Sequence, residues 1–245
     1  MVKLSLYKTN FITTKFVGLK NYIYALTDPD FLRSILNSLF YAALLIPGQV
    51  LVALFIALSI YTMKKKWIDT SRIVFYLPVL SAGIIIAQVW RWVFHIQGPI
   101  NYMLGKDISW FGQWYTAIPV IAFIVVFSSL GGNVIILLAS ILSIDKCIIE
   151  SARIDGANSF QIKTMIIIPM ISKTVILIAV LSAIASFQIF ENILALAPQT
   201  YAATMTFFIY QQGFLFSKYG IAAAEAVVLL VITVVLILIK KKVEK

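Results

Sequence analysis

Residues Glu150 to Pro169 read ESARIDGANSFQIKTMIIIP, a charged and polar stretch set between long apolar runs. Ahead of it and into it, Ile144, Ile148 and Ala152, with Ile149 beside them, recur at helical spacing next to Lys146, Glu150 and Arg153. That pattern predicts a short amphipathic helix from Asp145 to about Asp155. Gly156 stands where this helix should stop, because glycine enters the left-handed region without a Cβ penalty and lets the chain turn. A second helical stretch then runs through Phe160, Lys163 and Ile167, and Pro169 marks the next bend. Such a segment is a loop built to be gripped by another protein.

Its surroundings decide what kind of loop it is. Of 245 residues, 61% are hydrophobic and 12% charged, with a mean hydropathy of +0.97, against about 25% charged for a soluble domain. The solvent of this chain is largely lipid. A net charge of +10 points to nucleic acid only when basic residues gather on a soluble face; here they sit at the ends of apolar runs, as membrane topology requires. One cysteine, Cys147, excludes an intrachain disulfide and reads as a small residue on the docking helix. His95 is the only histidine and has no second ligand at metal-site spacing, so neither metal nor cofactor is implied.

The expected architecture is all-α, a polytopic helical bundle with five membrane spans at about 36–62, 73–94, 117–142, 174–197 and 219–239, since ~20 apolar residues cross a bilayer. Residues 1–33 form an external or interfacial segment, 34–245 the transmembrane domain, and 143–173 the loop that carries the opening stretch. Pro47-Gly48 interrupts the first span, which a membrane helix tolerates. Arg91, between Trp90 and Trp92, is expected to snorkel to the outer interface. Gly131-Gly132 with Ser128, Ser129 and Ser140 predict close backbone approach inside the bundle. Residues 198–218 read as an aromatic loop.

Basic residues orient the bundle. Lys64, Lys65, Lys66, Arg72, Lys146, Arg153, Lys163, Lys173, Lys240, Lys241, Lys242 and Lys245 fall on one side, and the intervening loops hold Lys106 and Lys218. The quoted loop and the C-terminus are therefore expected in the cytoplasm. Five spans then place the N-terminal segment outside despite Lys3, Lys8, Lys15, Lys20 and Arg33.

Glu150, Ala152, Gly156, Ile166 and Pro169 match, at fixed spacing, the loop signature of the membrane subunits of binding-protein-dependent ABC importers, with Ser151 and Ile168 departing from it. The resemblance covers nearly the whole chain and is of the sugar-permease type. Phe16-Val17-Gly18-Leu19 with Asn21-Tyr22 is similar to the segment after the family's first helix, and Tyr76-Leu77-Pro78 to its Phe-Leu-Pro. Trp90-Arg91-Trp92-Val93-Phe94 followed by Gly98 and Asn101, Phe187 with Phe190-Glu191, and Gly220, Ala222 and Ala224 also have counterparts. Ala197-Pro198-Gln199 replaces the usual Gly-Gly-Pro, and Glu225 stands where an apolar residue is usual.

The resemblance implies six core helices, so the sequence is expected to begin after the first. It also implies a heterodimer with a second permease on two cytoplasmic ATPase subunits. An extracellular binding protein would deliver a carbohydrate, and the site would be the bacterial cytoplasmic membrane. Glu150, Ser151, Ala152, Asp155, Gly156, Ala157 and Pro169 would dock the ATPase, with Glu150 pairing to a basic residue and Gly156 making the bend. The chain itself would hydrolyse nothing.

A charged group inside a membrane helix costs roughly 2.5–3.5 kcal/mol on insertion scales and asks for a reason. Phe187, Gln188, Phe190, Glu191 and Asn192 are the candidate substrate pathway, the amides and carboxylate for sugar hydroxyls and the rings for stacking. A structural contact of Glu191 near the outer interface is the other reading, and for Glu225 the interface reading is the expectation. Competing functions are an importer of glycerol-phosphate or another small polar solute, or a channel or scaffold without an ATPase. An intramembrane enzyme lacks any accompanying Ser/His or metal constellation.

Overall fold

The computed structural model describes residues 1–9, 14–80, 83–196 and 200–243. Helix α1 (Val2–Ser5) leads into a hairpin of β1 (Tyr7–Thr9) and β2 (Thr14–Phe16), in which Tyr7 pairs with Phe16, Lys8 with Lys15 and Thr9 with Thr14. Next come α2 (Lys20–Thr27), α3 (Pro29–Ile60), α4 (Lys65–Leu80), α5 (Gly83–Val93), α6 (Pro99–Leu104) and α7 (Trp114–Leu142). The quoted loop contributes α8 (Lys146–Ile154), α9 (Ser159–Gln161), a π-helical turn over Ile162–Ile167 and α10 (Ile168–Met170). The remainder is α11 (Ser172–Gln188), α12 (Glu191–Leu196), α13 (Met205–Tyr210), a π-helical turn over Gln211–Leu215 and α14 (Tyr219–Val243).

The bundle is built on α3, which packs along α7 and α11, while α4 lies on α7 and α14 on α11 and α13. Asp28 starts α3 as its N-cap, accepting from the Asp30 and Phe31 amides, with Pro29 in the first turn. Among the described residues, three helices are long and apolar enough to cross a membrane, namely Pro29–Ile60, Trp114–Leu142 and Tyr219–Leu238. A fourth span forms if Ser159–Met170 and Ser172–Gln188, bent by 68°, count as one. Of the span expected at 73–94 the structure describes α4, which begins already at Lys65, and the 11-residue α5, on either side of residues 81–82, which lie outside the described residues. Only 22% of the apolar window of α14 is buried, which leaves most of that surface for lipid or neighbouring subunits.

Close approach divides the glycine pair. A Cβ on Gly131 would lie 1.8 Å from the Phe75 carbonyl oxygen of α4, whereas Gly132 has nothing within 4 Å. Pro47 sits inside an unbroken α3, and Gly48 brings that helix onto Val126 of α7. One residue on, Gln49 is buried and its Oε1 accepts from Ser182 of α11 and, at 3.4 Å, from Asn133 of α7. These bonds tie the three central helices.

Residues 205–215, expected as part of an aromatic loop, are helical. Met205, Phe207 and Phe208 are buried, Phe208 and Met205 in a cluster with Phe31 and Phe187. Side chains of α3 hold this segment down. Asn37 Nδ2 donates to the Tyr201 and Ala203 carbonyls at 2.9 and 3.0 Å, Tyr41 Oη to Ala202, and Ser38 Oγ accepts from the Met205 amide. Glu225 differs from its expected interfacial position too: it is 0% exposed, and both carboxyl oxygens are buried without a hydrogen-bond partner among the described residues. The segment through Gln211 and Gln212 and the N-terminal elements that cover this end of α14 remove it from water. Arg91, rather than only reaching for the interface, donates through Nη1 to the Ala195 carbonyl in the last turn of α12 at 3.2 Å, where a cation also complements the helix dipole.

Candidate functional site: a docking loop and a break in a membrane helix

Helix α8, the expected docking helix, is bounded by side-chain and backbone caps. Asp145 Oδ1 accepts from the Cys147 amide at 2.9 Å. At the far end Gly156 has φ +87°, its amide donates to the Arg153 carbonyl and the Ala157 amide to Ala152, the paired bonds of a Schellman cap. Two residues later Asn158 and Gln161 exchange side chain to backbone bonds at 2.8 and 2.9 Å, a capping box that starts the next helix. The N-x-x-Q spacing carried that signal in the sequence. Past Pro169 the chain bends at Ile171 into α11.

One face of this loop is anchored. Ile144, Ile149, Ala152, Ala157, Ile162, Ile166 and Ile167 pack on the cluster of Ala57, Ile60, Leu137 and Ile141. Tyr61 joins it: burial raises its phenol above the ordinary value, with the Arg153 guanidinium acting against that, and Lys163 Nζ lies 6.0 Å from the ring centroid. The other face is free in this chain. Ile148, expected on the inward stripe, is 41% exposed, because Ile149 takes the inward place; Ile154, Phe160 and Met165 are each above 70% exposed. Glu150, Ser151, Asp155, Gly156 and Pro169 are exposed beside them, Ser151 Oγ bonded back to the Cys147 carbonyl. Among the described residues the ion pair found is Arg72–Asp69, so Glu150 has no intrachain ionic partner. Shallow clefts of about 210 and 250 Å³ flank α8, one lined by Glu150, Arg153 and Tyr61, the other by Asp155, Gly156 and Ala157.

The expected fourth span breaks after Gln188. Ile189 is extended, with φ −61° and ψ 114°, and the helix resumes at Glu191. A break in lipid must satisfy the carbonyls it frees. Thr206 Oγ1 donates to the Phe187 carbonyl at 2.9 Å and Thr204 Oγ1 to that of Ile189. No glycine or proline lies between Thr174 and Leu196, so the break had no local sequence marker.

The break turns Gln188, Phe190, Glu191 and Asn192 to one open depression of about 290 Å³, completed by Val125, Ala185 and Ile189. Phe187 does not join them; it is buried on the opposite side against Phe31, Met205 and Phe208. The Phe190 ring meets Tyr210 edge to face at 4.9 Å, and Tyr210 stacks on Phe214 at 5.4 Å. Asn192 Oδ1 is buried with no partner among the described residues, an acceptor left for a hydroxyl. The Glu191 carboxylate fits against Gly83 so closely that a Cβ there would lie 2.4 Å from Oε2. Gly83, Tyr210, Thr204 and Thr206 are the site residues that sequence reasoning missed. The Ala197-Pro198-Gln199 departure lies outside the described residues.

Gly83→Ala is expected to leave folding unchanged, since the far end of Glu191 can swing away, but to displace the carboxylate. If the depression takes the expected carbohydrate, uptake into membrane vesicles should show KM raised severalfold with kcat kept, and a similar rise for Glu191→Gln.

No protein-family model matches the chain. It is 30% identical over 227 residues to the probable ABC transporter permease protein YurN of Bacillus subtilis strain 168, over 88% of this chain and 78% of that one. Over 242 residues it is 25% identical to the lactose transport system permease protein LacF of Rhizobium radiobacter, over 93% and 81%. A chain in the crystal structure of a bacterial alginate ABC transporter in complex with an alginate pentasaccharide-bound periplasmic protein superposes with a TM-score of 0.78 at 26% identity, over 91% of this chain and 81% of that one. Sharing sequence and fold along most of its length with these membrane subunits, the chain belongs to the ABC transporter permeases, as a multi-pass membrane protein.

Proposed function

We propose that this permease translocates a carbohydrate through an ATP-driven importer and is driven by cytoplasmic ATPase subunits that grip residues 145–169. The observation that carries the reading is the two-faced loop: its inner isoleucines are packed on the membrane bundle while Glu150, Ile154 and Phe160 face outward without partners. An amphipathic helix anchored on one side and apolar on the other transmits motion to a groove that receives it. A channel or scaffold has no use for such a surface.

Carbohydrate is favoured by the depression at the helix break, which pairs an aromatic ring with amide and carboxylate groups and is lined by no cation. An anionic solute such as a glycerol-phosphate would call for one. The names of LacF and of the alginate transporter support the same class. A second permease, an extracellular binding protein, two ATPase subunits and a cytoplasmic C-terminus complete the proposed assembly, the last from the asymmetry of basic loops.

The test is affinity purification of the tagged chain from its native membrane in mild detergent, wild type beside Glu150→Arg, with mass spectrometry of what accompanies each. Wild type is expected to bring an ATPase and a second permease, and the variant to lose at least about nine-tenths of the ATPase while keeping the permease. Wild type arriving without an ATPase would overturn the importer reading.

A further inference from the structure

A further cavity lies at neither of these places. It measures about 470 Å³ and is lined by Lys8 and Lys15 of the hairpin, Asn21 and Tyr24 of α2, and Ser217, Lys218, Gly220 and Ile221 at the start of α14. Lys8 and Lys15 are direct cross-strand partners, a placement in which like charges repel. Lys218 adds a third ammonium, its Nζ 5.8 Å from the Tyr24 ring centroid and 5.7 Å from that of Phe216. Among the described residues the buried Glu225 of α14 interacts electrostatically with Lys218, but no carboxylate pairs directly with Lys8, Lys15 or Lys218, so the cavity keeps an excess of positive charge.

Its walls are held in place without a ligand. Asn21 Nδ2 donates to the Ser5 and Tyr7 carbonyls at 2.8 and 3.0 Å, and Gly220 lets the Tyr7 carbonyl come so near that a Cβ would lie 2.0 Å from it. The elements that line it also carry exposed apolar side chains: Phe16 of the hairpin, Leu19 and Ile23 at and in α2, and Phe214, Leu215 and Phe216 just before α14 are all more than half exposed. A cationic pocket on elements that carry exposed apolar side chains, at the start of a membrane helix, matches one ligand geometry, an anionic head group whose acyl chains lie along the protein.

We propose that this cavity binds the phosphate head group of an anionic phospholipid, with Lys8, Lys15 and Lys218 as its ligands. The lipid would tie the N-terminal hairpin and α2 to α14; its assignment to the outer leaflet rests on the orientation proposed above. The binding itself does not depend on that orientation.

The assembled transporter, purified in mild detergent and offered phosphatidylglycerol or phosphatidylcholine of the same acyl chains, would be analysed by native mass spectrometry. Wild type is expected to retain phosphatidylglycerol over phosphatidylcholine by about tenfold or more, as three lysines near a membrane surface should. Lys8→Gln/Lys15→Gln/Lys218→Gln should lose that preference, and the triple arginine counterpart, which keeps the charge, should retain it. Equal retention of the two lipids by wild type would overturn the proposal, as would an unchanged preference in the glutamine variant. Displacement of the lipid by millimolar inorganic phosphate would also overturn it, assigning the cavity to a free anion. Failure of the glutamine variant alone to assemble counts for the lipid only if wild type shows the preference. Wild type without the preference then gives the cavity to a protein neighbour.

Discussion

Gly156→Val is expected to reduce ATP-driven uptake by about tenfold or more while the chain still inserts and assembles its membrane helices. The position has φ +87°, and a β-branched residue there is a steric outlier, strained by roughly 1–3 kcal/mol. Relief means turning φ negative. That breaks the paired cap bonds from Gly156 to Arg153 and from Ala157 to Ala152, and α8 then leaves the stretch 159–170 at a new angle. Glu150 and Ile154 lose their setting relative to Phe160 and Met165, though nothing within 4 Å of Gly156 is touched. Asparagine enters the left-handed region far more readily, so Gly156→Asn should keep most of the activity. Uptake into membrane vesicles, with ATPase activity on the same preparations, reads both variants. Wild-type transport by the valine variant would show that the bend is not needed for coupling.

Gly131→Val should act on the bundle itself. The new Cβ would fall 1.8 Å from the Phe75 carbonyl oxygen, and that atom belongs to the backbone of α4, which cannot rotate aside as a side chain can. Helices α4 and α7 must separate, a form of overpacking that costs typically 1–3 kcal/mol and here more, since the obstacle is main chain. A fall of at least about 10 °C in the thermal midpoint of the detergent-solubilised protein, or failure to accumulate in the membrane, is expected. Gly132→Ala, one residue on and facing open space, should be near neutral. The pair separates steric contact from a general intolerance of α7 to larger residues, because only one of two adjacent glycines is against a neighbour.

Much of this was open to reading from local pattern. The turn at Gly156 needs a residue without a Cβ, so the glycine in the quoted stretch announced it. The apolar runs announced α3, α7 and α14 because a bilayer requires their length. Ile148 and Ile149 show where such pattern stops: both lie within one helical turn of the inward stripe, and the packing against Tyr61 and Ile141 selected Ile149.

The break in the fourth span belongs wholly to tertiary structure. Nothing between Thr174 and Leu196 disfavours a continuous helix, and the freed carbonyls of Phe187 and Ile189 are tolerable only because Thr206 and Thr204 arrive from a distant segment. That segment is itself placed by Asn37, Ser38 and Tyr41 of α3. The same holds for Glu191 against Gly83, for Arg91 on Ala195, for buried Glu225 and for the cross-strand lysines beside Lys218, whose partners lie far away along the chain. By itself, the sequence determined a membrane bundle with an amphipathic helix closed by a glycine turn, since hydrophobic length, helical periodicity and a glycine cap act over a few residues. Tertiary structure decided where a helix breaks and which polar groups meet, since hydrogen-bond satisfaction in lipid is settled between segments and not within them.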